Sequence, residues 1–275
     1  MNFAGATVAA AQAALPLDPL ENRILLCHAL GLNRVGLITQ SHRALTAAES
    51  GVLEALVARR LQGEPIAYIV GKREFFGLDF SVTDAVLIPR PDTELLVELA
   101  LERLAPGGSL LDMGTGSGAI AVAIAHTRRD ARVTALDASM EALEVARANA
   151  AANDAAVRFL HSDWYAALAG DNFDLIASNP PYIASGDVHL SQGDLRFEPA
   201  SALTDHADGL SALRAIVAGA AAHLVPGGWL LLEHGYDQAN AVRTLLAVEG
   251  YTEVQSWRDL SGIERVSGGR APAAA

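Results

Sequence analysis

The chain has 275 residues, of which 51% are hydrophobic and 19% charged, so it is long enough for one large domain and a smaller one, and its composition excludes an intrinsically disordered protein. Its formal net charge is −12. Residues 1–72 hold six of the 20 basic and five of the 32 acidic side chains, so the remaining residues carry a net charge of −13. This acidic portion argues against a nucleic-acid partner, because phosphate contacts supply most nucleic-acid affinity.

The sequence also limits disulfide, membrane and metal chemistry. Cys27 is the only cysteine, which excludes an intrachain disulfide and favours a reducing compartment, so we expect a cytoplasmic protein. No apolar run approaches the roughly 20 residues that span a bilayer, and we expect no association with membranes. The eight histidines are not spaced as metal ligands, so we predict no metal site.

Residues 1–65 predict a small bundle of helices. Apolar side chains recur at helical spacing in residues 18–30, and Gly31 follows them as a stop signal. Thr46 and Glu49 form a capping box ahead of a second pattern of the same kind. We expect this bundle to form the first domain.

A different pattern begins at residue 66. Short runs rich in aromatic and β-branched side chains alternate with turn signals such as Gly77, and these runs are residues 67–70, 74–76 and 78–82. They predict a β-hairpin within residues 66–88. We expect this segment to link the helical bundle to the remaining domain, residues 89–275.

The third segment predicts an α/β fold. A helix at 93–104 precedes apolar strands that alternate with helices. The strands are 110–113, 133–136, 157–160, 173–177 and 229–232, and the helices between them are 118–126, 139–152 and 209–224. Short buried strands that alternate with helices indicate a doubly wound, mostly parallel sheet. Segments 251–257 and 263–267 have no helix between them and predict an antiparallel pair at the edge.

The first strand of this sheet leads into its helix through a glycine-rich loop, Gly114-Thr115-Gly116-Ser117-Gly118. Glycines permit a tight turn and a close approach of the backbone to a ligand, and N–H groups at the start of the helix face that ligand. Asp137 ends the next strand, where a carboxylate can accept hydrogen bonds from both hydroxyls of a ribose. The loop therefore predicts a cofactor that contains a nucleoside.

The loop by itself fits two classes of cofactor. Its glycine spacing, together with Ala119, also satisfies the fingerprint of NAD-binding proteins, so an NAD enzyme is a competing interpretation. Asp112, before the first glycine, is typical of methyltransferases, in which it helps to hold the methionine end of the cofactor. Asp163 and Trp164 follow the third strand, where the carboxylate would accept from an adenine amino group while the indole packs on the ring.

The fourth strand is followed by the run Asn179-Pro180-Pro181-Tyr182. Consecutive prolines stiffen the backbone and hold Asn179 extended. The Asn179 side-chain carbonyl can accept one N–H of a substrate NH2 group, and the Pro180 carbonyl the other. An amide or aminopurine nitrogen is a poor nucleophile, so two fixed acceptors favour its alkylation by a sulfonium, and Tyr182 offers a face for the flat group. We therefore predict a methyltransferase that uses S-adenosyl-L-methionine, with Asn179, Pro180 and Tyr182 as catalytic residues.

Over nearly its whole length the chain resembles the peptide-chain release factor glutamine methyltransferases. The matching segments are Gly63-Glu64-Pro65, residues 87–94, residues 112–121, residues 179–182, Phe197-Glu198-Pro199 and Asp208-Gly209-Leu210. The Pro-Arg-Pro-Asp-Thr-Glu run within 87–94 and the segments after residue 196 separate this family from generic amino-methyltransferases. Met113 and Ala138 depart from the usual residues, but neither side chain is expected to bind a ligand.

The resemblance implies a substrate and a set of site residues. The acceptor would be the glutamine of the Gly-Gly-Gln loop of class I release factors, methylated on its side-chain amide nitrogen, with S-adenosyl-L-homocysteine as the second product. The helical domain would grip the release factor, and a monomer would suffice. The residues that would bind the cofactor are Gly114 to Gly118, Asp137, Trp164 and Asn179. Asp112 and Asp163 join this set on the ground of their positions after the strands, as argued above. The residues that would hold the glutamine are Asn179, Pro180, Pro181 and Tyr182. Arg90 and Glu94 would shape the cofactor pocket.

Two other functions remain open from the sequence. An adenine or cytosine amino-methyltransferase acting on DNA or RNA would use the same tetrapeptide on a flipped base. A basic groove or a target-recognition domain would favour that function, and the sequence shows neither. A regulator that binds the cofactor without turnover would predict a damaged glycine loop or tetrapeptide, whereas both are intact.

Overall fold

The computed structural model describes residues 2–168 and 170–272. They form two compact units, Met1–Gly71 and Lys72–Ala275. This division differs from the expected boundaries at residues 65 and 88, because the hairpin belongs to the second unit. Across the described residues, no helix combines the length and apolarity that crossing a membrane requires.

Helices make up the first unit. Those described are Val8–Ala14 (α1), Pro19–Leu30 (α2), Arg34–Thr39 (α3), Ala47–Leu61 (α4) and Ile66–Val70 (α5). Their apolar faces share one core that includes the fully buried Leu25 and Leu53. The predicted capping box is confirmed, since Thr46 and Glu49 each accept the backbone N–H of the other at the start of α4. Gly31 ends α2 in a left-handed conformation, with φ 62°.

Residues 67–70 lie in helix α5, so the prediction of a strand there is wrong. Gly71, with φ 71°, ends this single turn. Ala67 and Ile69 are buried, and Ile69 packs into the helical core. The described strands all lie in the second unit, so a strand here would have no partner for its backbone groups. Packing within the bundle therefore overrides the β preference of isoleucine and valine.

The hairpin opens the second unit. Lys72–Phe75 (β1) and Leu78–Ser81 (β2) pair antiparallel, which confirms the predicted hairpin strands. Phe76 and Gly77 both have positive φ, 52° and 76°, as a tight two-residue hairpin turn requires. Phe75 and Phe80 pack edge to face and are buried in the core of this unit.

A seven-stranded sheet forms the centre of the second unit. Its strands are Ser109–Met113 (β3), Arg132–Asp137 (β4), Val157–His161 (β5), Phe173–Ser178 (β6), Leu224–Glu233 (β7), Thr252–Arg258 (β8) and Glu264–Arg270 (β9). Their spatial order is β5-β4-β3-β6-β7-β9-β8, in which the first five are parallel and the last two antiparallel. The predicted fold class is therefore confirmed, together with the antiparallel pair.

Helices cover both faces of this sheet. The helices described in this unit are Glu94–Arg103 (α6), Ala119–Thr127 (α7), Met140–Ala152 (α8), Ala200–Leu203 (α9), Ser211–Ala220 (α10) and Ala239–Val248 (α11). Successive side chains of β3 enter different cores: Leu110 packs in the core that contains α7, and Leu111 in the core that contains α10 and α11. Helix α11 was absent from the prediction, although Val242 and Leu246 bury one helical face.

The order of the strands determines where a ligand can bind. The chain runs outward from β3 through β4 to β5 and then returns to the other side of β3 as β6. In such sheets ligands bind where the order reverses, outside the carboxyl ends of the strands. Met113 pairs with Ser178 at the ends of β3 and β6. The glycine-rich loop and the Asn-Pro-Pro-Tyr run therefore leave the sheet side by side.

Candidate active site

A cavity of about 380 Å³ opens at this edge of the sheet, within the size range of small-molecule sites. A smaller cavity of about 60 Å³ adjoins it, shares Asn179 and is lined by Tyr182. Asp112 and Gly118 do not belong to the lining of the larger cavity. Ten of the predicted site residues line that cavity: Gly114, Thr115, Gly116, Ser117, Asp137, Asp163, Trp164, Asn179, Pro180 and Pro181.

The glycines of the loop have two different functions. Gly114 and Gly116 have φ values of 73° and 54°, and a Cβ on either would meet nothing within 4 Å. The backbone conformation selects glycine there, and the open space is left for a ligand. At Gly118, a Cβ would lie 3.2 Å from the Cβ of Ala146, so this glycine lets α7 and α8 pack closely. Gly118 thus contributes to helix packing and leaves contact with a ligand to the other two glycines.

Asp112 lies beneath the loop and is fully buried. Its Oδ2 accepts hydrogen bonds from the Thr115 hydroxyl at 2.6 Å and from the Ala121 N–H at 3.1 Å. Burial raises the pKa of Asp112 to about 7, and the charge of Asp137 adds to this rise. No described residue provides a hydrogen-bond partner for its Oδ1. The geometry favours a positioning role under the loop over the predicted direct contact with the cofactor.

Asp137 faces the cavity with both carboxylate oxygens already oriented. Oδ2 accepts the Gly116 N–H at 2.8 Å, and Oδ1 accepts the Ser139 N–H at 2.9 Å. Each oxygen of a carboxylate can accept more than one hydrogen bond, so both remain available to a ligand. The β4 terminus thus presents the rigid acceptor that the two hydroxyls of a ribose require.

Asp163 and Trp164 stand at the end of β5 on the cavity lining. Asp163 is exposed, and Trp164 is half-buried with a positive φ of 45°. A tryptophan rarely adopts this left-handed conformation, and the surrounding contacts must maintain it. The Ser162 hydroxyl contributes by donating to the Trp164 carbonyl at 2.7 Å. The turn therefore holds an indole where an adenine ring would pack.

The tetrapeptide is fixed at both of its ends. The Ser178 hydroxyl donates to the last carbonyl of β3 at 2.6 Å, and Gln238 donates to the Tyr182 carbonyl at 2.9 Å. Between them, Asn179 Nδ2 donates to Thr93 Oγ1 at 3.2 Å. Within the described part of the chain no residue donates to Asn179 Oδ1. Because the amide is planar, this contact leaves the side-chain oxygen as the free acceptor.

Sequence reasoning did not assign Thr93 or Glu233 to the site. Thr93 lines the cavity, and Glu233 ends β7 with an exposed fraction of 1%. The Tyr182 hydroxyl lies 3.5 Å from Glu233 Oε1. Burial raises the pKa of Glu233 to about 7, while the Thr93 hydroxyl and Arg265 favour its ionised form. An acidic residue at the carboxyl end of a parallel strand was the signal available for Glu233.

A partly buried ion pair borders the cavity. Arg90 lines the cavity and bonds Glu198, whose side chain is completely buried and which also accepts the Ile88 N–H at 3.0 Å. Burial raises the pKa of Glu198, and the charge of Arg90 opposes the rise. Glu94 does not shape the pocket as expected. It accepts the Phe76 N–H at 3.0 Å and so supports the hairpin turn.

These features together fit a nucleoside cofactor. The cavity presents a carboxylate at the end of β4, an indole at the end of β5 and backbone left uncovered by the glycines of the loop after β3. A carboxylate and an aromatic face are the groups that hold a ribose and an adenine. Within residues 2–168 and 170–272, no group of three or more His, Cys, Asp or Glu side chains is arranged to hold a metal.

Comparisons with known families agree with this geometry. Residues 91–206 match the family described as methyltransferase small domain, and residues 4–71 match the PrmC N-terminal domain. Among solved structures, a methyltransferase from Pyrococcus furiosus is 24% identical, has a TM-score of 0.55 and covers 78% of this chain and 97% of its own, which supports the fold. The T. thermophilus 16S rRNA N2 G1207 methyltransferase, solved with AdoMet and guanosine, is 26% identical, has a TM-score of 0.52 and covers 72% of this chain and 49% of its own.

Similarity to curated relatives extends over nearly the whole chain. The release factor glutamine methyltransferase of Burkholderia pseudomallei is 58% identical over 97% of this chain and 97% of its own length. The enzyme of the same name from Bordetella pertussis is 55% identical over 92% of this chain and 95% of its own. Because these alignments cover more than nine tenths of the chain, and because a methyltransferase fold surrounds the cavity, the chain belongs to the release factor glutamine methyltransferase family.

Proposed function

We propose that the chain transfers a methyl group from S-adenosyl-L-methionine to the side-chain amide nitrogen of the glutamine in the Gly-Gly-Gln motif of class I release factors. The orientation of Asn179 carries the chemical part of this proposal, the choice of a flat NH2 group as acceptor: its Nδ2 is used by Thr93, which leaves Oδ1 to accept an N–H of the substrate. The names of the relatives in Burkholderia and Bordetella support a release factor as the substrate.

Several side chains fit the cofactor. Asp137 would accept the ribose hydroxyls, and Trp164 would pack on the adenine while Asp163 accepts from its amino group. Gly114 and Gly116 would let the backbone approach the methionine part. When bound, the cofactor supplies a methyl group attached to a positively charged sulfur. Asp112 would act from beneath, because it holds Thr115 and the start of α7 in place.

The tetrapeptide would orient the acceptor and stabilise its developing charge. An amide nitrogen is a poor nucleophile because its lone pair is delocalised into the carbonyl. Asn179 Oδ1 and the Pro180 carbonyl would accept its two N–H groups, with Tyr182 against the flat amide. As the amide nitrogen takes the methyl group from the sulfur, the two fixed acceptors would stabilise the positive charge that passes to the nitrogen. The alkylated nitrogen would be acidic and would lose its proton to water.

The first unit would supply recognition of the protein substrate. Residues 1–71 hold five basic and five acidic side chains and so carry no net charge, which suits a protein partner better than a polyanion. We expect the chain to act as a monomer in the cytoplasm, where translation terminates. The described site residues all lie in the second unit, so we do not expect the first unit to take part in the chemical step.

Radiolabelled cofactor tests the proposal directly. We would offer it with a class I release factor, with the same factor lacking the motif glutamine, and with bulk DNA and RNA. Label is expected only in the intact release factor, on one glutamine identified by mass spectrometry. Label in nucleic acid and none in the release factor would overturn the proposal in favour of a base amino-methyltransferase. The similarity to an enzyme solved with guanosine makes that arm necessary.

Replacement of Asn179 tests the mechanism. Asn179→Ala removes one preorganised acceptor, and we expect kcat to fall by about two orders of magnitude, as observed when one such group is lost elsewhere. Cofactor affinity, measured by calorimetry, should weaken much less. Asn240→Ala, on the exposed surface of α11, is the matched control. Equal losses in kcat and in cofactor affinity would show that Asn179 mainly holds the cofactor.

A further inference from the structure

We propose that Gln238 is a positioning residue for methyl transfer: its side-chain amide ties the end of the tetrapeptide to two neighbouring loops and thereby holds Tyr182 in place for the acceptor. The inference rests on the proposed function, because Tyr182 belongs to the tetrapeptide that would hold the substrate amide. It adds a residue that the sequence did not single out, and it gives the segment Asp208-Gly209-Leu210 a role in the site.

Three backbone groups from separate parts of the second unit meet at the Gln238 side chain. Gln238 lies directly before α11 and is half-buried. Its Nε2 donates to the Tyr182 carbonyl at 2.9 Å and to the Gly209 carbonyl at 3.2 Å, and its Oε1 accepts the Gly235 N–H at 2.8 Å. A primary amide has two N–H groups and one oxygen, so every polar group of the Gln238 side chain is engaged.

The chemistry of these partners selects glutamine. Backbone carbonyls only accept hydrogen bonds and a backbone N–H only donates, so the amide satisfies all three groups in one orientation. A glutamate of the same length would place a carboxylate oxygen against the Tyr182 and Gly209 carbonyls. A methionine of similar size would leave all three backbone groups without this partner. The contacts therefore depend on the amide and not only on the volume of the side chain.

Glycines let the two neighbouring loops reach the amide. Gly209 has a φ of 80°, and a Cβ there would lie 2.5 Å from the Tyr182 carbonyl oxygen and 3.0 Å from Gln238 Nε2. A Cβ on Gly235 would lie 3.1 Å from Gln238 Oε1. The close approach of the backbone to the amide thus requires glycine at 209 and favours it at 235.

The loop after β7, which orients Gln238, is itself anchored. His234 is completely buried, and burial lowers its pKa, so its ring is neutral. Its Nδ1 faces the Gly235 carbonyl at 2.9 Å and therefore carries the proton, which leaves Nε2 to accept from the Ser267 hydroxyl at 2.7 Å. Because Ser267 belongs to β9, this bond ties the loop to the sheet. Gln238 therefore holds Tyr182 from a fixed support.

Loss of the Gln238 amide would loosen the tetrapeptide at Tyr182. Among the described residues, no other side chain donates to the Tyr182 carbonyl. The Ser178 hydroxyl and the Ile183 N–H, which bonds the Leu203 carbonyl at 3.0 Å, would still hold the chain on either side. We therefore expect a partial loss of alignment, and rates of transfer depend steeply on alignment. The proposed cofactor contacts, on the loops after β3, β4 and β5, would stay in place.

The test measures kcat and the KM for the cofactor, at saturating release factor, in the wild type, Gln238→Met and Gln238→Glu. Each variant should lower kcat by about tenfold, the effect of one lost aligning hydrogen bond, while KM for the cofactor changes by less than about twofold. Gln255→Met, the same substitution on the exposed surface of β8, is the matched control and should keep the kcat of the wild type. An unchanged kcat in Gln238→Met, or an equal change in kcat and KM, would overturn the inference.

A double-mutant cycle separates positioning from a general effect on structure. Gln238→Met is introduced into the wild type and into Tyr182→Ala. If Gln238 acts by holding Tyr182, its replacement should lower kcat about tenfold in the wild type and less than about twofold once the Tyr182 ring is gone. The same tenfold loss in both backgrounds would overturn the inference, because Gln238 would then act independently of Tyr182.

Folding and the identity of the acceptor are checked separately. Thermal melts and circular dichroism report folding, and if Gln238→Met does not fold, Gln238→Glu, which keeps an acceptor for the Gly235 N–H, replaces it in the cycle. A wild-type protein that labels nucleic acid and no release factor would overturn the proposed function, and the same cycle on that acceptor would still decide the role of Gln238. A wild-type protein that labels neither would overturn both.

Discussion

Asp112→Asn should make the stability of the protein less dependent on pH. Asp112 is fully buried beneath the glycine-rich loop, and burial raises its pKa from 3.8 to about 7. The folded state therefore binds this proton more tightly than the unfolded state does. The resulting contribution to stability is complete below a pH of about 4 and is lost as the pH rises through about 7. At about 1.36 kcal/mol per pKa unit, the loss amounts to about 3 kcal/mol between pH 5 and pH 8.

An asparagine cannot ionise, yet its side-chain oxygen can accept the same hydrogen bonds from Thr115 and Ala121. The variant should therefore retain the free energy of unfolding at pH 8 that the wild type has only at lower pH. Glu233 also has a pKa raised to about 7. It contributes the same pH dependence to both proteins, so the difference between them isolates Asp112.

Urea denaturation of the full chain without cofactor, followed by circular dichroism at pH 5, 6, 7 and 8, measures this difference. Asp84→Asn is the control, since it removes one negative charge from the exposed surface. We expect the wild type and the control to lose about 3 kcal/mol more than Asp112→Asn between pH 5 and pH 8. Parallel curves for all three proteins would refute the argument and would mean that Asp112 stays ionised in the fold.

Two further variants test the loops around the cavity. Asp137→Ala removes the carboxylate that accepts the Gly116 and Ser139 N–H groups and that is predicted to bind the ribose. Calorimetry should therefore show cofactor affinity reduced by about tenfold or more. Unchanged affinity would contradict the role of Asp137. Gly209→Ala introduces a Cβ at a φ of 80° and 2.5 Å from the Tyr182 carbonyl oxygen, so chemical denaturation should show a loss of about 1–3 kcal/mol. Gly186→Ala, where a Cβ meets nothing within 4 Å, is its control, and equal effects of the two would contradict the steric argument.

The sheet and the place of the site could be predicted because they follow from local patterns and one topological rule. Short apolar strands alternate with helices, and each helix has a recognisable face or cap. The carboxyl ends of parallel strands meet at one edge, so the loops after β3 and β6 must come together whatever lies between them. The pairing of Met113 with Ser178, the last residues of β3 and β6, shows that the two loops start side by side.

Other features depend on contacts that no local pattern records. Ile69 has the β preference of isoleucine but lies in a helical bundle, where packing decides its conformation. Asp112 shares a face of β3 with Leu110, beneath α7, and for that reason supports the loop and does not line the cavity. Thr93 and Glu233 lie far from the tetrapeptide in the chain, and only the packed sheet brings them beside Asn179 and Tyr182.

In the proposed mechanism the tetrapeptide would determine which kind of atom is methylated, but it would not determine the molecule that carries that atom. An exocyclic amino group of a base and a side-chain amide both present a flat, conjugated NH2 group, and Asn179 would accept from either. Discrimination must therefore come from surfaces outside the cavity. A nucleic acid gains most of its affinity from phosphates held by basic side chains, yet the chain after residue 72 has a net charge of −13. Such a surface repels a polyanion, whereas we expect a protein loop to be selected by its shape and by the helical unit. Variants in the tetrapeptide should accordingly lower kcat for any acceptor, and substrate choice should respond to changes elsewhere.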